Sequence, residues 1–173
     1  MIQGVLVLGA GSAGLLAALT LKRKLPQLQV RVIRSKEIGV IGVGEGTTPN
    51  FPNHIFDQIG IARSAFYARA QPTWKIGVKF LWGPRGRFHY TFSRQIDAQW
   101  RDLSCPNGYY CHDEFSAADL PAALMAHDKV FQRNPSGGPA VQSWHGFHVE
   151  NRKLVDVLEV LAVRPGSGSS TAR

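Results

Sequence analysis

The chain has 173 residues, 44% hydrophobic and 18% charged, which is enough apolar material for one folded domain and too much for a disordered chain. No apolar run approaches the ~18–20 residues of a membrane-spanning helix, and the short run from Gly4 to Leu8 lacks the basic leader of an export signal. Lys and Arg number 20 against 12 Asp and Glu, a net charge of +8, and the two cysteines, Cys105 and Cys111, are too few for a disulfide framework. A soluble cytoplasmic protein with reduced thiols is expected, with no membrane partner. The basic excess concentrates between Arg63 and Arg101, where eight Lys and Arg face one acid, Asp97. No zinc-finger spacing, helix-turn-helix or aromatic RNA-binding strand accompanies it. It therefore reads as a surface patch or a site for an anionic cofactor or substrate, not as a nucleic-acid interface.

The chain opens on a short apolar run, Gln3 to Leu8, of the kind that forms a buried parallel strand. Gly9-Ala10-Gly11-Ser12-Ala13-Gly14 follows, then an apolar helix from Leu15 to Leu25 with Lys22, Arg23 and Lys24 in its last turn and Pro26 as a stop. Gln29 to Ile33 is β-branched and predicts a second strand, completing a βαβ unit. The segment Gly39 to Pro52 holds four glycines and two prolines and predicts an irregular, functional or mobile loop. Short helices are expected over Asn53–Ile59 and Arg63–Ala70, and strands over Trp74–Trp82 and Phe88–Phe92. Residues 116–132 predict a helix with Pro121 in its first turn, Trp144–Val149 a strand, and Asn151–Ala162 a helix with Leu154, Val155, Leu158 and Leu161 on one face. The tail from Arg164 to Arg173 has no apolar anchor and is expected to be disordered. Too few strands are present to complete a Rossmann-type sheet, so the chain reads as the front of a larger protein.

Gly9-x-Gly11-x-x-Gly14 gains meaning from its position between a strand and a helix. Gly9 permits the tight turn, Gly11 lets a pyrophosphate approach the backbone, and Gly14 lets helix and strand pack closely. The free N–H groups and dipole of the helix N-terminus then favour the phosphates. The acid that usually binds the ribose hydroxyls at the end of the second strand is absent; Arg34 or Ser35 falls there, with Glu37 slightly late. Arg34 could take a 2′-phosphate or lie against an adenine ring. In a period-2 strand Lys75 and Lys79 project to the same side, roughly 13 Å apart, so both cannot serve one reaction centre. Two solvated lysines are the bland alternative. Glu45 either acts at the site or caps loop N–H groups. Cys105, Cys111 and His112 lack zinc spacing, so no metal is expected. His89, His145 and His148 have no evident nucleophile or carboxylate partner for a hydrolytic triad.

The loop Gly42-Val43-Gly44-Glu45-Gly46-Thr47-Thr48-Pro49-Asn50 closely resembles the Gly-Val-Gly-Glu-Ala-Thr-x-Pro strap of flavin-dependent tryptophan halogenases. Thr73-Trp74-Lys75-Ile76-Gly77-Val78-Lys79-Phe80 resembles the strand bearing that family's catalytic lysine, and Trp144-His145 with the Leu154–Leu158 helix resembles a further segment. The chain departs from the pattern at Leu15, where members usually carry Trp, and at Gly46, where they carry Ala; the family's Trp-x-Trp-x-Ile-Pro segment and catalytic glutamate are not in it.

The resemblance implies an α/β, Rossmann-like FAD-binding fold, truncated, with residues 1–162 as the N-terminal part of the domain and a substrate-side insertion over about 53–142. It implies FAD reduced by a separate flavin reductase, held by Gly9, Gly11, Ser12, Ala13, Gly14, Arg34, Val43, Gly44, Glu45, Gly46 and Thr47, with Lys75 catalytic. The reaction implied runs through a flavin hydroperoxide and hypohalous acid to a halogenated, electron-rich aromatic substrate such as tryptophan. This chain alone, without the downstream half, is expected to be inactive. A flavin monooxygenase or FAD oxidoreductase fragment, or an inactive nucleotide-binding remnant, is the alternative.

Overall fold

A computed structural model describes residues 2–35, 37–39, 44–93, 120–140 and 144–163. Their order is β1 (Gly4–Leu8), α1 (Ser12–Lys24), β2 (Gln29–Ile33), β3 (Gly44–Gly46), α2 (Asn50–Asn53), a π-helix (His54–Ile59), α3 (Arg63–Ala70), β4 (Thr73–Lys75), β5 (Gly77–Phe80), β6 (Phe88–Thr91), α4 (Leu120–Ala126), β7 (Gln132–Arg133), β8 (Pro139–Ala140), β9 (Gly146–Glu150) and α5 (Asn151–Ala162). Contacts gather the chain into two units, one of Met1–Gly46, Phe51–Thr73 and His148–Arg173, the other of Thr47–Asn50 and Trp74–Phe147.

The first unit is built on the expected βαβ motif. β1 and β2 pair in parallel, Gly4 opposite Gln29 through Leu8 opposite Ile33. Val5, Val7, Val30 and Val32 are half-buried, whereas Leu6, Leu8 and Ile33 are exposed. β1 is thus not the fully buried strand its composition predicts, because its sheet has only two strands among the described residues.

Helix α1 stops as the sequence indicates, with Leu25 leaving helical geometry and Lys22 donating to the carbonyls of Pro26 (2.7 Å) and Leu28 (3.3 Å). Its buried residues Leu15 and Ala18 belong to the same core as Ile55, Phe66, Leu154, Val155, Val157 and Leu158, and α1 packs on α5. Val157 joins the stripe expected of α5, while Leu161 is only half-buried. Thr20 Oγ1 donates to the Leu16 carbonyl at 2.6 Å and so accepts from His54 Nε2 at 2.9 Å, tying α1 to the π-helix.

Several elements depart from the sequence reading. The glycine-rich loop contains β3, which pairs antiparallel with β9. The helix expected over Asn53–Ile59 is a π-helix from His54, ended by Gly60 at φ +88°. The helix expected over 116–132 is described only as Leu120–Ala126, with 116–119 outside the described residues. It ends in a Schellman-type cap: Lys129 N–H donates to the Leu124 carbonyl (2.8 Å) and Asp128 N–H to that of Met125 (3.2 Å), with Asp128 left-handed at φ +53°. An aspartate in place of the usual glycine hides this stop. The single strand expected over Trp74–Trp82 is two: β4 shares a sheet with β9 and β3, and β5 pairs antiparallel with β6. The break falls at Ile76, whose carbonyl accepts from Phe92 N–H at 2.9 Å. The next residue, Gly77, lies so close to the Tyr90 carbonyl and Met125 that a methyl group there would collide with both. The expected tail, 164–173, lies outside the described residues.

The α5 stripe gives a direct test of this packing. Leu158→Ala, at a fully buried position, should lower the unfolding free energy by about 2–5 kcal/mol. Val160→Ala, at an exposed position two residues on, should change it by less than about 0.5 kcal/mol. Urea denaturation of the two variants measures the contrast.

Candidate nucleotide site and strap

The glycine turn between β1 and α1 has the shape its sequence calls for. Gly9 adopts φ +101°, a conformation that L side chains rarely enter, and its N–H donates to the Ile33 carbonyl at 2.8 Å. The turn is thereby held against the end of β2. A Cβ at Gly14 would run into the Gly9 carbonyl, so α1 can begin this close to β1 only with glycine there. A Cβ at Gly11 would meet nothing within 4 Å. Among the described residues the space over Gly11 is open, and none of them calls for glycine at this position.

Gly11 is also the N-cap of α1, and it offers no side-chain cap. The N–H groups of Ser12, Ala13 and Gly14 have no intrahelical acceptor, as at any helix start. The first turn of α1 carries no acid, while Lys22, Arg23 and Lys24 stand at the other end. Open space over Gly11, free N–H groups and the positive end of a helix dipole together fit the pyrophosphate of a dinucleotide such as FAD.

Arg34 follows β2 directly, at the place expected. Its Nη1 donates to Glu159 Oε1 of α5 at 2.5 Å, with the two side chains 59% and 31% exposed. Sequence reasoning missed Glu159. The available signal was indirect: a cation at a position that usually carries an acid invites a search for a carboxylate elsewhere.

The strap is anchored along β9, with Gly44 opposite Glu150, Glu45 opposite Val149 and Gly46 opposite His148. Glu45 is half-buried. Thr47 then exchanges two hydrogen bonds with Phe147: its N–H donates to the Phe147 carbonyl, and its Oγ1 accepts from the Phe147 N–H, both at 2.8 Å. This gives Thr47 an anchoring part that the sequence did not show. Val43 lies outside the described residues.

Lys75 belongs to the second unit and ends β4. It is half-buried, and its ammonium stands 5.5 Å from the centroid of the Phe92 ring, a cation–π contact. Neighbouring Trp74 meets the edges of Phe131 (5.5 Å) and His145 (6.1 Å), and His145 meets Phe147 at 5.3 Å. Lys79 is exposed in β5, opposite His89. The two lysines therefore sit in different strands of different sheets, and the shared face expected of them does not exist. Cys105, Cys111 and His112 lie outside the described residues, among which no cluster of His, Cys, Asp and Glu could hold a metal. Among the described residues no helix is long and apolar enough to cross a membrane.

Known proteins resemble this chain throughout. Tryptophan 7-halogenase KtzQ of a Kutzneria species is 35% identical over 100 residues, which are 57% of this chain and 19% of that enzyme. The crystal structure of MibH, a tryptophan 5-halogenase, superposes with a TM-score of 0.77 at 33% identity, covering 99% of this chain and 33% of that one. A flavin-dependent halogenase from Xanthomonas campestris shares the fold with a TM-score of 0.71 at 24% identity, over 100% of this chain and 35% of its own. The chain thus has the mixed α/β fold of these enzymes while spanning about a third of the solved structures and a fifth of KtzQ. The family-wide pattern of tryptophan halogenases matches residues 4–171, and the chain belongs to that family.

Proposed function

We propose that this chain is the FAD-binding portion of a flavin-dependent halogenase acting on an electron-rich aromatic substrate such as tryptophan. The observation that carries the reading is the open glycine turn, with bare backbone at Gly11 facing unfilled space at the start of α1. In this reading Gly9, Gly11, Ser12, Ala13, Gly14 and Arg34 hold the ADP half of FAD, and the strap Val43–Thr47 crosses the flavin. A separate flavin reductase supplies the cofactor in reduced form. The division of residues 1–162 into a cofactor part and a substrate-side insertion over about 53–142 belongs to the same proposal.

When bound, reduced FAD would supply two of the four electrons that dioxygen takes up, and the halide would give the other two as it becomes hypohalous acid. The protein's share is positional. Backbone N–H groups at the α1 terminus would bind the pyrophosphate oxygens, and the helix dipole would favour their negative charge. The strap keeps its place because its backbone is committed to β9 and Thr47 to Phe147. Lys75 is the residue assigned to hypohalous acid. Its ammonium has three donors, enough to hold and orient a small oxyacid while the halogen faces an aromatic ring. The Phe92 ring, 5.5 Å from that ammonium, restricts where it stands.

Two tests separate these roles. Gly11→Val should alter stability by no more than about 1 kcal/mol, the difference between glycine and valine at an N-cap. It should weaken flavin binding by at least roughly tenfold, since the new side chain fills the space a pyrophosphate needs. Gly14→Ala should lose stability and binding together. Undiminished flavin fluorescence quenching by Gly11→Val would remove the site. In a protein of the family's full length carrying this segment, Lys75→Ala should reduce halogenation by at least roughly 100-fold. Oxidation of reduced flavin by dioxygen should stay unchanged, because it precedes the lysine's step. Lys79→Ala should remain within about threefold of the parent, as expected of an exposed side chain. Product chromatography and flavin absorbance measure the two arms.

A further inference from the structure

The end of β2 poses a chemical problem. Ribose hydroxyls at this place in a dinucleotide-binding βαβ unit need a hydrogen-bond acceptor, normally an acid on β2 itself. Arg34 has five N–H donors and no acceptor, so it cannot serve them. A free guanidinium there would favour a 2′-phosphate on the ribose instead. Arg34 is not free in that sense. Glu159, 125 residues further along the chain, brings a carboxylate from α5 onto its Nη1 at 2.5 Å. The pair starts beside the glycine turn, because Ile33, the residue before Arg34, accepts from Gly9 N–H at 2.8 Å.

Two features suit the pair to a ligand. Both side chains remain accessible, Arg34 at 59% and Glu159 at 31% exposure. A carboxylate offers about four lone-pair positions on two oxygens, so a guanidinium on Oε1 leaves Oε2 able to accept from hydroxyls. As a purely structural tie, so exposed an ion pair would contribute at most about 1 kcal/mol.

We propose that Glu159 is the ribose-reading carboxylate of the nucleotide site, supplied by α5 in place of the missing acid on β2, with Arg34 holding it. The arrangement sets specificity as well as binding. Glu159 offsets the charge of Arg34 next to the ribose position and adds acceptor lone pairs there, so a plain ribose is accepted and a 2′-phosphate is disfavoured. Without Glu159, the same Arg34 becomes a 2′-phosphate receptor. This inference rests on the glycine turn being an adenine-dinucleotide site.

The experiment compares ADP-ribose with 2′-phospho-ADP-ribose, which share a pyrophosphate and differ only at the 2′ position. Calorimetric titration of the 173-residue chain should show a preference for ADP-ribose of roughly tenfold or more, the size of one hydrogen bond to a charged group. Glu159→Gln should shift the affinity ratio toward the 2′-phosphate by roughly tenfold, with a gain in absolute affinity for that ligand. Glu159→Ala should shift it the same way. Adding Arg34→Ala to Glu159→Gln should abolish the gain, which separates a freed guanidinium from a loosened fold. An unchanged ratio in both Glu159 variants, while both ligands still bind, would overturn the proposal and leave the site standing. Failure of the parent chain to bind either ligand would overturn the dinucleotide reading and this inference with it.

Discussion

One backbone approach governs the βαβ unit: the first turn of α1 lies against the carbonyl of Gly9, where position 14 has no room for a side chain. The distance is set by backbone against backbone, which cannot relax as a side chain can. It fixes where the helix starts and directs its free N–H groups and dipole at the end of β1. With α1 placed, its buried side meets α5 and Thr20 meets His54. α5 in turn carries Glu159 to Arg34. An ion pair 125 residues apart in sequence is thus a consequence of a glycine near the N-terminus.

The strap depends on a similar constraint. Gly146, at the start of β9, lies against the Thr47 carbonyl so closely that a Cβ would overlap it. Bare backbone lets Thr47 close its two hydrogen bonds with Phe147 and carry the strap onto the β9 ladder. A segment rich in glycine, which pays heavily in chain entropy when ordered, therefore has one edge pinned by ladder bonds and one by a threonine. Glu45, in the middle of the ladder, has its backbone fixed and its side chain half-buried.

Where the sequence was legible, a local rule decided the outcome. β2 and α3 have the expected bounds, and Gly9 and Gly14 do what a strand–glycine–helix motif requires. Leu154, Val155 and Leu158 of the α5 stripe followed from helical periodicity. Most illegible features depended on partners distant in sequence. Nothing local marks β3 as a strand; three residues, two of them glycine, become one because β9 offers a ladder. Nor does anything local break Trp74–Trp82, whose alternation is sound. The break at Ile76 reflects competition between two sheets and the close contact of Gly77 with β6 and Met125. The stop of α4 escaped notice because Asp128 takes a left-handed conformation that glycine usually signals. Glu159 was invisible because an ion pair between exposed side chains leaves no periodic trace.

The net charge of +8 also reads differently once contacts are known. Lys22 caps carbonyls after α1, and Arg63 pairs with Asp57 while lying 4.7 Å over the Phe56 ring. Lys153 stands near Glu150 and donates to Gln71, Arg34 is held by Glu159, and Lys75 rests beside Phe92. Each of these cations has a particular neighbour and cannot be counted as part of a diffuse positive surface. Among the described residues, the cations of α1 stand at the wrong end of the helix to touch a phosphate, and Arg34 after β2 is paired with Glu159. What the glycine turn itself presents is a set of oriented peptide dipoles. Those dipoles are fixed in position by the contact between Gly14 and Gly9, so the same steric constraint that shapes the turn also sets its electrostatics.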